Sequence, residues 1–224
     1  MIRAIVVVFG AMALAESATA QTPVAVVEEV QGNVTGAEFM DYVAPGKVIK
    51  LGPGASVVLG YMKSCRREAI NGTGTVIVGQ DESLVHLAEV DGTRTACDPA
   101  QSHATTRATS DVAATVVRSL GKDGKDNSPG GPQLTLYGAS PLVEARGRGT
   151  LVFERLDQKG ERRQFELTGK QLKGRFYDLA GTSQPLTPGG TYAATFASRR
   201  IVFQVDPGAK PGPTPIVGRL LRME

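Results

Sequence analysis

Tryptophan is absent from this 224-residue chain, and cysteine and histidine occur only twice each. Two cysteines exclude a small scaffold held by many disulfides, an iron–sulfur cluster and a four-cysteine zinc site. Aromatic residues make up only 5% of the chain, which leaves little material for the stacked-ring platform of a sugar-cleaving enzyme. The net charge is +3, and a hydrophobic content of 41% is enough for a folded core.

The amino terminus has the three parts of a secretory signal peptide. Arg3 provides a short positive region, Ala4–Leu14 is an apolar run, and Ala18–Ala20 supplies small residues before Gln21. The run is shorter than the roughly 20 residues that span a bilayer, although a plain membrane anchor is the alternative. We therefore expect residues 1–20 to be removed, leaving an exported chain without a transmembrane segment.

Export changes the interpretation of the two cysteines. Outside the cytoplasm an even number of cysteines usually means a disulfide. Joining Cys65 to Cys97 closes a loop of about 33 residues, for which loop entropy gives roughly 3–4 kcal/mol of stabilisation. The alternatives are a zinc site that also uses His86 and His103, and two free buried thiols.

Short β-prone segments separated by Gly, Asn and Pro predict an all-β fold of two small modules. Residues 21–100 form the first module, and residues 133–208 form the second, a small β-sandwich. Within them the pattern predicts one strand at Ser83–Val90 and another at Arg200–Val205. The second of these strands is expected to end in a turn at Asp206–Gly208.

The connector at residues 101–132 differs in composition from both modules. Asp111–Leu120 predicts one short helix, and the following Gly- and Pro-rich stretch to Pro132 is typical of a flexible linker. Residues 209–224 form a proline-rich carboxy-terminal tail. Its last part, Ile216–Met223, is expected to dock on one of the modules.

Residues 26–80 carry a series of glycine-and-strand motifs. They are Val30-Gln31-Gly32-Asn33-Val34, Pro45-Gly46-Lys47-Val48-Ile49, Gly52, Ala55-Ser56-Val57-Val58-Leu59 and Thr75-Val76-Ile77-Val78. In this order they resemble the FecR periplasmic domain family, although Lys63–Asn71 departs from the short hairpin usual there. The resemblance implies a bacterial extracytoplasmic module used for sensing or binding, in the periplasm or secreted.

Residues 133–206 are similar, more weakly, to immunoglobulin or fibronectin type III-like modules. The turn Leu186-Thr187-Pro188-Gly189-Gly190-Thr191-Tyr192 before a late strand carries this resemblance. Such modules usually bind partners or space other modules, so the resemblance implies a non-catalytic role.

The residues also argue against common catalytic sets. Nucleophilic catalysis needs a base, usually His, beside a Ser or Cys. His86 lies in an alternating strand segment, and His103 lies in a Thr- and Ser-rich connector. Adjacent acids such as Glu28 and Glu29 point to opposite faces of a strand and do not converge. We therefore expect a non-enzymatic protein with no metal and no cofactor.

The basic side chains are the clearest remaining sign of a function in the sequence. Residues 133–224 hold 14 basic and 8 acidic residues, a net charge of +6. Eleven basic residues are candidates for a face that binds an anionic polymer: Arg66, Arg67, Arg146, Arg148, Arg162, Arg163, Lys170, Lys173, Arg175, Arg199 and Arg200. The alternative is that interleaved acids, such as Glu154, Asp157, Glu161 and Glu166, neutralise them.

These observations lead to two functional hypotheses. The first is an exported, non-enzymatic binding or interaction protein of the periplasm, acting as a component of envelope sensing. The second is a structural envelope protein that binds anionic glycan or lipid through its basic carboxy-terminal half. The expected partner is an envelope protein or an anionic envelope polymer rather than nucleic acid.

Overall fold

The computed structural model describes residues 21–103 and 131–223, in which regular structure is almost entirely β. The prediction of an all-β fold with two modules is confirmed. In this part of the chain the helical elements are short 3-10 helices at Pro99–His103, Leu179–Gly181 and Ile216–Gly218. The predicted signal peptide, the predicted helix at Asp111–Leu120 and most of the predicted linker lie outside the described residues.

Module 1 consists of two antiparallel sheets. The strands are β1 Ala25–Gln31, β2 Val34–Thr35, β3 Tyr42–Val43, β4 Val48–Leu51, β5 Ser56–Tyr61, β6 Arg66–Asn71, β7 Gly74–Val78, β8 Ser83–His86 and β9 Glu89–Arg94. Sheet A has the strand order β3–β1–β5–β6–β9, and sheet B has the order β2–β4–β7–β8.

Module 2 also consists of two sheets. The strands are β10 Leu134–Gly138, β11 Leu142–Glu144, β12 Gly149–Arg155, β13 Arg162–Leu167, β14 Leu172–Lys173, β15 Phe176–Asp178, β16 Thr191–Phe196, β17 Arg199–Lys210 and β18 Leu220–Arg222. Sheet C has the order β10–β17–β16–β12–β13, and sheet D has the order β14–β15–β11–β18. Among these strands β10 pairs in parallel with β17, and β11 pairs in parallel with β18.

The four sheets stack in the order B, A, D, C, with an apolar layer between each neighbouring pair. Strand β5 of sheet A and strand β11 of sheet D are buried along nearly their whole length because both faces of these strands are covered. In β1, Val27 points into the core of module 1, whereas Val26 points into the layer between the modules. In β11, Val143 points into the core of module 2, whereas Leu142 faces module 1.

The carboxy-terminal tail docks as predicted and completes this central layer. Ile216, Val217 and Leu220 are buried in the layer between sheets A and D, and Leu221 reaches the core of module 2. Strand β18 extends sheet D by pairing with β11. The tail is therefore part of both the second module and the contact between the modules.

Two predicted strand boundaries are wrong. The single strand expected at Ser83–Val90 is two strands in different sheets, because Leu87 takes φ 67° and turns the chain away from sheet B. The strand expected to end before Asp206 instead continues as β17 to Lys210. Its far end pairs with Gly138 after a shift in register, which lets the strand continue past Pro207.

Candidate functional site

The predicted disulfide is present and lies at the junction of the two modules. It joins Cys65, in the turn between β5 and β6, to Cys97, which is buried in the layer between sheets A and D. Beyond Cys97 the chain crosses to module 2, where the Asp98 carboxylate accepts a hydrogen bond from the Thr135 amide at 2.8 Å. Ala100 then packs against the core of module 2. The crosslink therefore fixes the point at which the chain leaves module 1.

The disulfide rules out the two alternatives proposed for the cysteines. Neither cysteine is a free thiol, so neither is available as a zinc ligand. Residues 21–103 and 131–223 contain no cluster of three or more His, Cys, Asp or Glu side chains able to hold a metal ion. His86 is exposed on β8, opposite Thr75, and its ring makes no hydrogen bond to another described residue.

A cleft of about 330 Å³ opens between the two modules. Phe39 and Met40 line it from the loop before β3, and Phe176 and Ile216 line it from module 2. Met40, Phe176 and Ile216 are buried, whereas Phe39 is 48% exposed. The cleft therefore has an apolar wall with one aromatic side chain open to solvent, at a size typical of ligand sites.

A buried carboxylate is part of the lining of the cleft. Glu28 of β1 is only 7% exposed. One of its oxygens accepts a hydrogen bond from Nε of Arg67 at 2.8 Å, and the other accepts from the Val217 amide at 3.0 Å. Both carboxylate oxygens accept a hydrogen bond, which offsets the cost of burying the charge. This carboxylate joins sheet A to the carboxy-terminal tail.

A second ion pair contributes to the wall of the cleft. The Arg219 guanidinium is 3% exposed, and its Nη1 lies 2.6 Å from Oδ1 of Asp178. The same guanidinium donates to the carbonyl oxygens of Thr214 at 2.9 Å and Ser140 at 3.2 Å. These bonds hold the tail in a fixed position, so the wall is organised before any ligand binds.

Beside the cleft, a cluster of charged and aromatic side chains connects the modules; we call it the clamp. The Glu144 carboxylate is fully buried and accepts a hydrogen bond from the Tyr42 hydroxyl at 2.8 Å. Nε of Arg175 lies 2.6 Å and Nε of Arg222 lies 3.4 Å from the same carboxylate. Their guanidiniums lie 5.0 Å and 4.6 Å from the centre of the Tyr42 ring, within the range of cation–π contact.

The clamp also changes the acidity of its tyrosine. Burial, followed by the negative charge of Glu144, holds the pKa of Tyr42 well above its usual value. The hydroxyl therefore stays protonated and continues to donate to Glu144 at any physiological pH. This side of the junction behaves as a fixed contact rather than as a binding surface.

After these pairings, one basic and one acidic side chain remain exposed among the described residues that line the cleft. Lys173 is exposed and makes no ion pair with another described residue. Glu29 is also exposed, and its carboxylate accepts a hydrogen bond from the Gln31 amide group. The cleft can therefore offer an apolar wall, one ammonium and one carboxylate to a bound molecule.

The structure divides the eleven predicted anion-binding residues among several environments. Four of them contact carboxylates of this chain: Arg66 pairs with Glu68 and Glu82, Arg67 with Glu28, Arg163 with Glu161 and Arg175 with Glu144. This is the neutralisation that the alternative interpretation expected, although only Glu161 is among the acids named for it.

The other seven basic residues are exposed. Lys173 lies at the cleft, and Arg162 lies opposite Glu154 in the β12–β13 pairing. Five remain, all near one end of sheet C: Arg146, Arg148, Lys170, Arg199 and Arg200.

Sequence reasoning missed the residues that build the junction. Tyr42 and Glu144 are 102 positions apart, and neither stands in a motif. Glu28 and Glu29 were considered only as a catalytic pair; the structure buries the first and exposes the second. The one signal in the sequence was a charged residue inside an apolar strand segment, since a charge that is buried there requires a partner.

Comparison of this chain with models of protein families, with curated proteins and with solved structures finds no match. Within the described residues, no helix has both the length and the apolar character needed to cross a membrane.

Proposed function

We propose that this chain is an exported, non-enzymatic interaction protein of the bacterial envelope that binds a segment of a partner protein in the cleft between its modules. The observation that carries the proposal is a preformed cleft in which Phe39 is left half-exposed beside buried apolar side chains. Exposed aromatic side chains next to apolar pockets are typical anchors of protein interfaces.

The disulfide supports the exported part of the proposal. Disulfides persist in oxidising compartments such as the periplasm and are rare in the cytosol. The FecR-like motifs of residues 26–80 suggest the more specific role, a component of envelope sensing. Under this proposal module 1 supplies Phe39 and Glu29, and module 2 supplies Lys173.

The shape and charge of the cleft indicate the kind of segment that would bind. Its walls provide apolar contact, and Lys173 and Glu29 provide one exposed charge of each sign. An extended peptide segment with an apolar side chain between an acidic and a basic residue would satisfy all three features. A purely apolar segment would leave both charges without a partner, and a highly charged segment would leave the apolar walls without contacts.

The test is site-specific photo-crosslinking in the native host. A photoreactive phenylalanine analogue replaces Phe39, and in a matched variant it replaces Leu156, which is 42% exposed and does not line the cleft. We expect one defined protein adduct from position 39 and none from position 156. Absence of an adduct at position 39, or the same adducts at both positions, would overturn the proposal.

A further inference from the structure

The five basic residues near one end of sheet C come from three chain segments. Gly149 pairs with Leu167, so β12 begins where β13 ends. Phe196 pairs with both Leu151 and Arg199, so the hairpin between β16 and β17 lies at the same end. The connections β11–β12, β13–β14 and β16–β17 are therefore neighbours; we call this surface the sheet-C end.

The sheet-C end carries a concentrated positive charge. Its three segments, residues 145–151, 165–171 and 195–201, contain five basic residues and one acidic residue, a net charge of +4. The basic residues are Arg146, Arg148, Lys170, Arg199 and Arg200, and all are exposed. The acid is Glu166, which accepts hydrogen bonds from Thr150 and Gln164.

Four of the five cations have no ion-pair or hydrogen-bond partner in the part of the chain that the structure describes. The side chains of Arg148, Lys170, Arg199 and Arg200 make no ion pair or hydrogen bond with another described residue. Neighbouring strands lie about 4.8 Å apart, so the distance from β17 to β13 across the sheet is about 14 Å. Several like charges at such spacing raise the local potential and attract an anion with several charges along its length.

The chemistry of the sheet-C end favours a soluble polymer over a lipid surface. A protein that inserts into a membrane surface needs exposed apolar side chains among its basic residues. The large hydrophobic residues that are well exposed, which include Leu84, Leu87 and Leu156, lie outside the three segments. Exposed Thr168, Gln171 and Ser198 instead place hydroxyl and amide groups beside the cations.

We propose that the sheet-C end binds a linear acidic polysaccharide, with arginine guanidiniums contacting its carboxylate or sulfate groups. The polar side chains at the same end would hydrogen-bond to sugar hydroxyl groups. This inference goes beyond the proposed partner binding, since none of the five basic residues lines the cleft. The site would anchor the chain to an envelope polymer while the cleft remains open to its partner.

The test measures binding of the full exported chain to polygalacturonate by titration calorimetry over a series of salt concentrations. Neutral dextran and vesicles containing phosphatidylglycerol are the comparison probes. We expect binding to polygalacturonate that weakens with added salt, and no binding to dextran. Binding to the vesicles alone, or equal binding to dextran, would overturn the proposal.

Two double variants separate a local site from net charge. Arg199→Gln with Arg200→Gln removes two charges from the sheet-C end. Lys159→Gln with Arg162→Gln removes two exposed charges near the β12–β13 turn, at the opposite end of that hairpin. We expect the first variant to weaken binding roughly tenfold, about 1.4 kcal/mol, and the second to leave it nearly unchanged. An equal loss in both variants would show a simple effect of net charge and refute the site.

Discussion

The clamp between the modules can be tested by removing one oxygen atom. Tyr42→Phe deletes the hydroxyl that donates to Glu144 at 2.8 Å and leaves the aromatic ring in place. The ring keeps its contacts with Arg175 and Arg222 and its edge-on contact with Phe176, at 6.1 Å between ring centres. The substitution therefore isolates a single hydrogen bond between the modules.

The expected loss follows from the surroundings of that bond. A hydrogen bond to a charged group contributes about 1.5–3 kcal/mol. Glu144 keeps both arginines after the substitution, so it is not left as an unpaired buried charge. We therefore expect the lower part of the range, about 1.5–2 kcal/mol. For a domain of this size that corresponds to a fall in Tm of about 3–8 °C.

The assay is urea unfolding followed by circular dichroism and by tyrosine emission, which is usable because the chain has no tryptophan. Tyr137→Phe is the matched control, since the Tyr137 hydroxyl makes no hydrogen bond to another described residue, and we expect it to change stability by less than about 0.5 kcal/mol. The reasoning is refuted if both variants lose the same stability, or if the modules unfold in two separate transitions.

The same variant has an expected pH dependence. The folded-state pKa of Tyr42 is raised above its unfolded value, which stabilises the protonated hydroxyl. The stability that the protonated Tyr42 hydroxyl contributes is then complete below about pH 10, and it disappears as the pH rises through the raised pKa. The difference in unfolding free energy between the wild type and Tyr42→Phe should therefore stay constant between about pH 6 and pH 9.

Two further predictions concern the same junction. Replacing Cys65 and Cys97 together by Ser should lower the free energy of unfolding by about 3–4 kcal/mol in urea, as expected for opening a loop of this length, and an unchanged midpoint would contradict it. A Cβ at Gly60 would lie 2.5 Å from Cγ1 of Val217, so Gly60→Ala should cost about 1–3 kcal/mol by thermal unfolding. Gly181→Ala, where a Cβ meets nothing within 4 Å, should change stability by less than about 0.5 kcal/mol, and equal effects of the two alanines would contradict the close packing.

Local patterns predicted much of the fold. Apolar runs bounded by Gly or Pro coincide with strands such as Val48–Leu51 and Ser56–Tyr61, because both signals act over a few residues. Strand β6, with the sequence Arg66-Arg67-Glu68-Ala69-Ile70-Asn71, escaped prediction. Its charges look like a solvated turn, but Glu68 is 1% exposed and accepts hydrogen bonds from Arg66 and the Ser83 amide.

The pairing of distant segments could not be predicted from local patterns. Nothing near Leu142 or Leu220 indicates that their strands lie side by side in parallel, because each strand carries only three residues. The clamp could not be predicted for the same reason, since the position of Glu144 beside Tyr42 depends on the stacking of whole sheets. Charge counts showed that the second half is basic, but only the topology shows which cations meet carboxylates.

The docked tail has a consequence for the order in which the chain can fold. Glu28 near the amino end receives its second hydrogen bond from Val217, 189 residues later. A chain synthesised from its amino end therefore completes the sequence of module 1 long before the outer face of sheet A has a cover. Until the last strand arrives, Val26 and Met62 lie on an open apolar face, and contacts over such separations form slowly. Nascent chains in this state expose an apolar surface of the kind that aggregates or recruits chaperones, so the docking of Ile216, Val217 and Leu220 determines when that surface is covered.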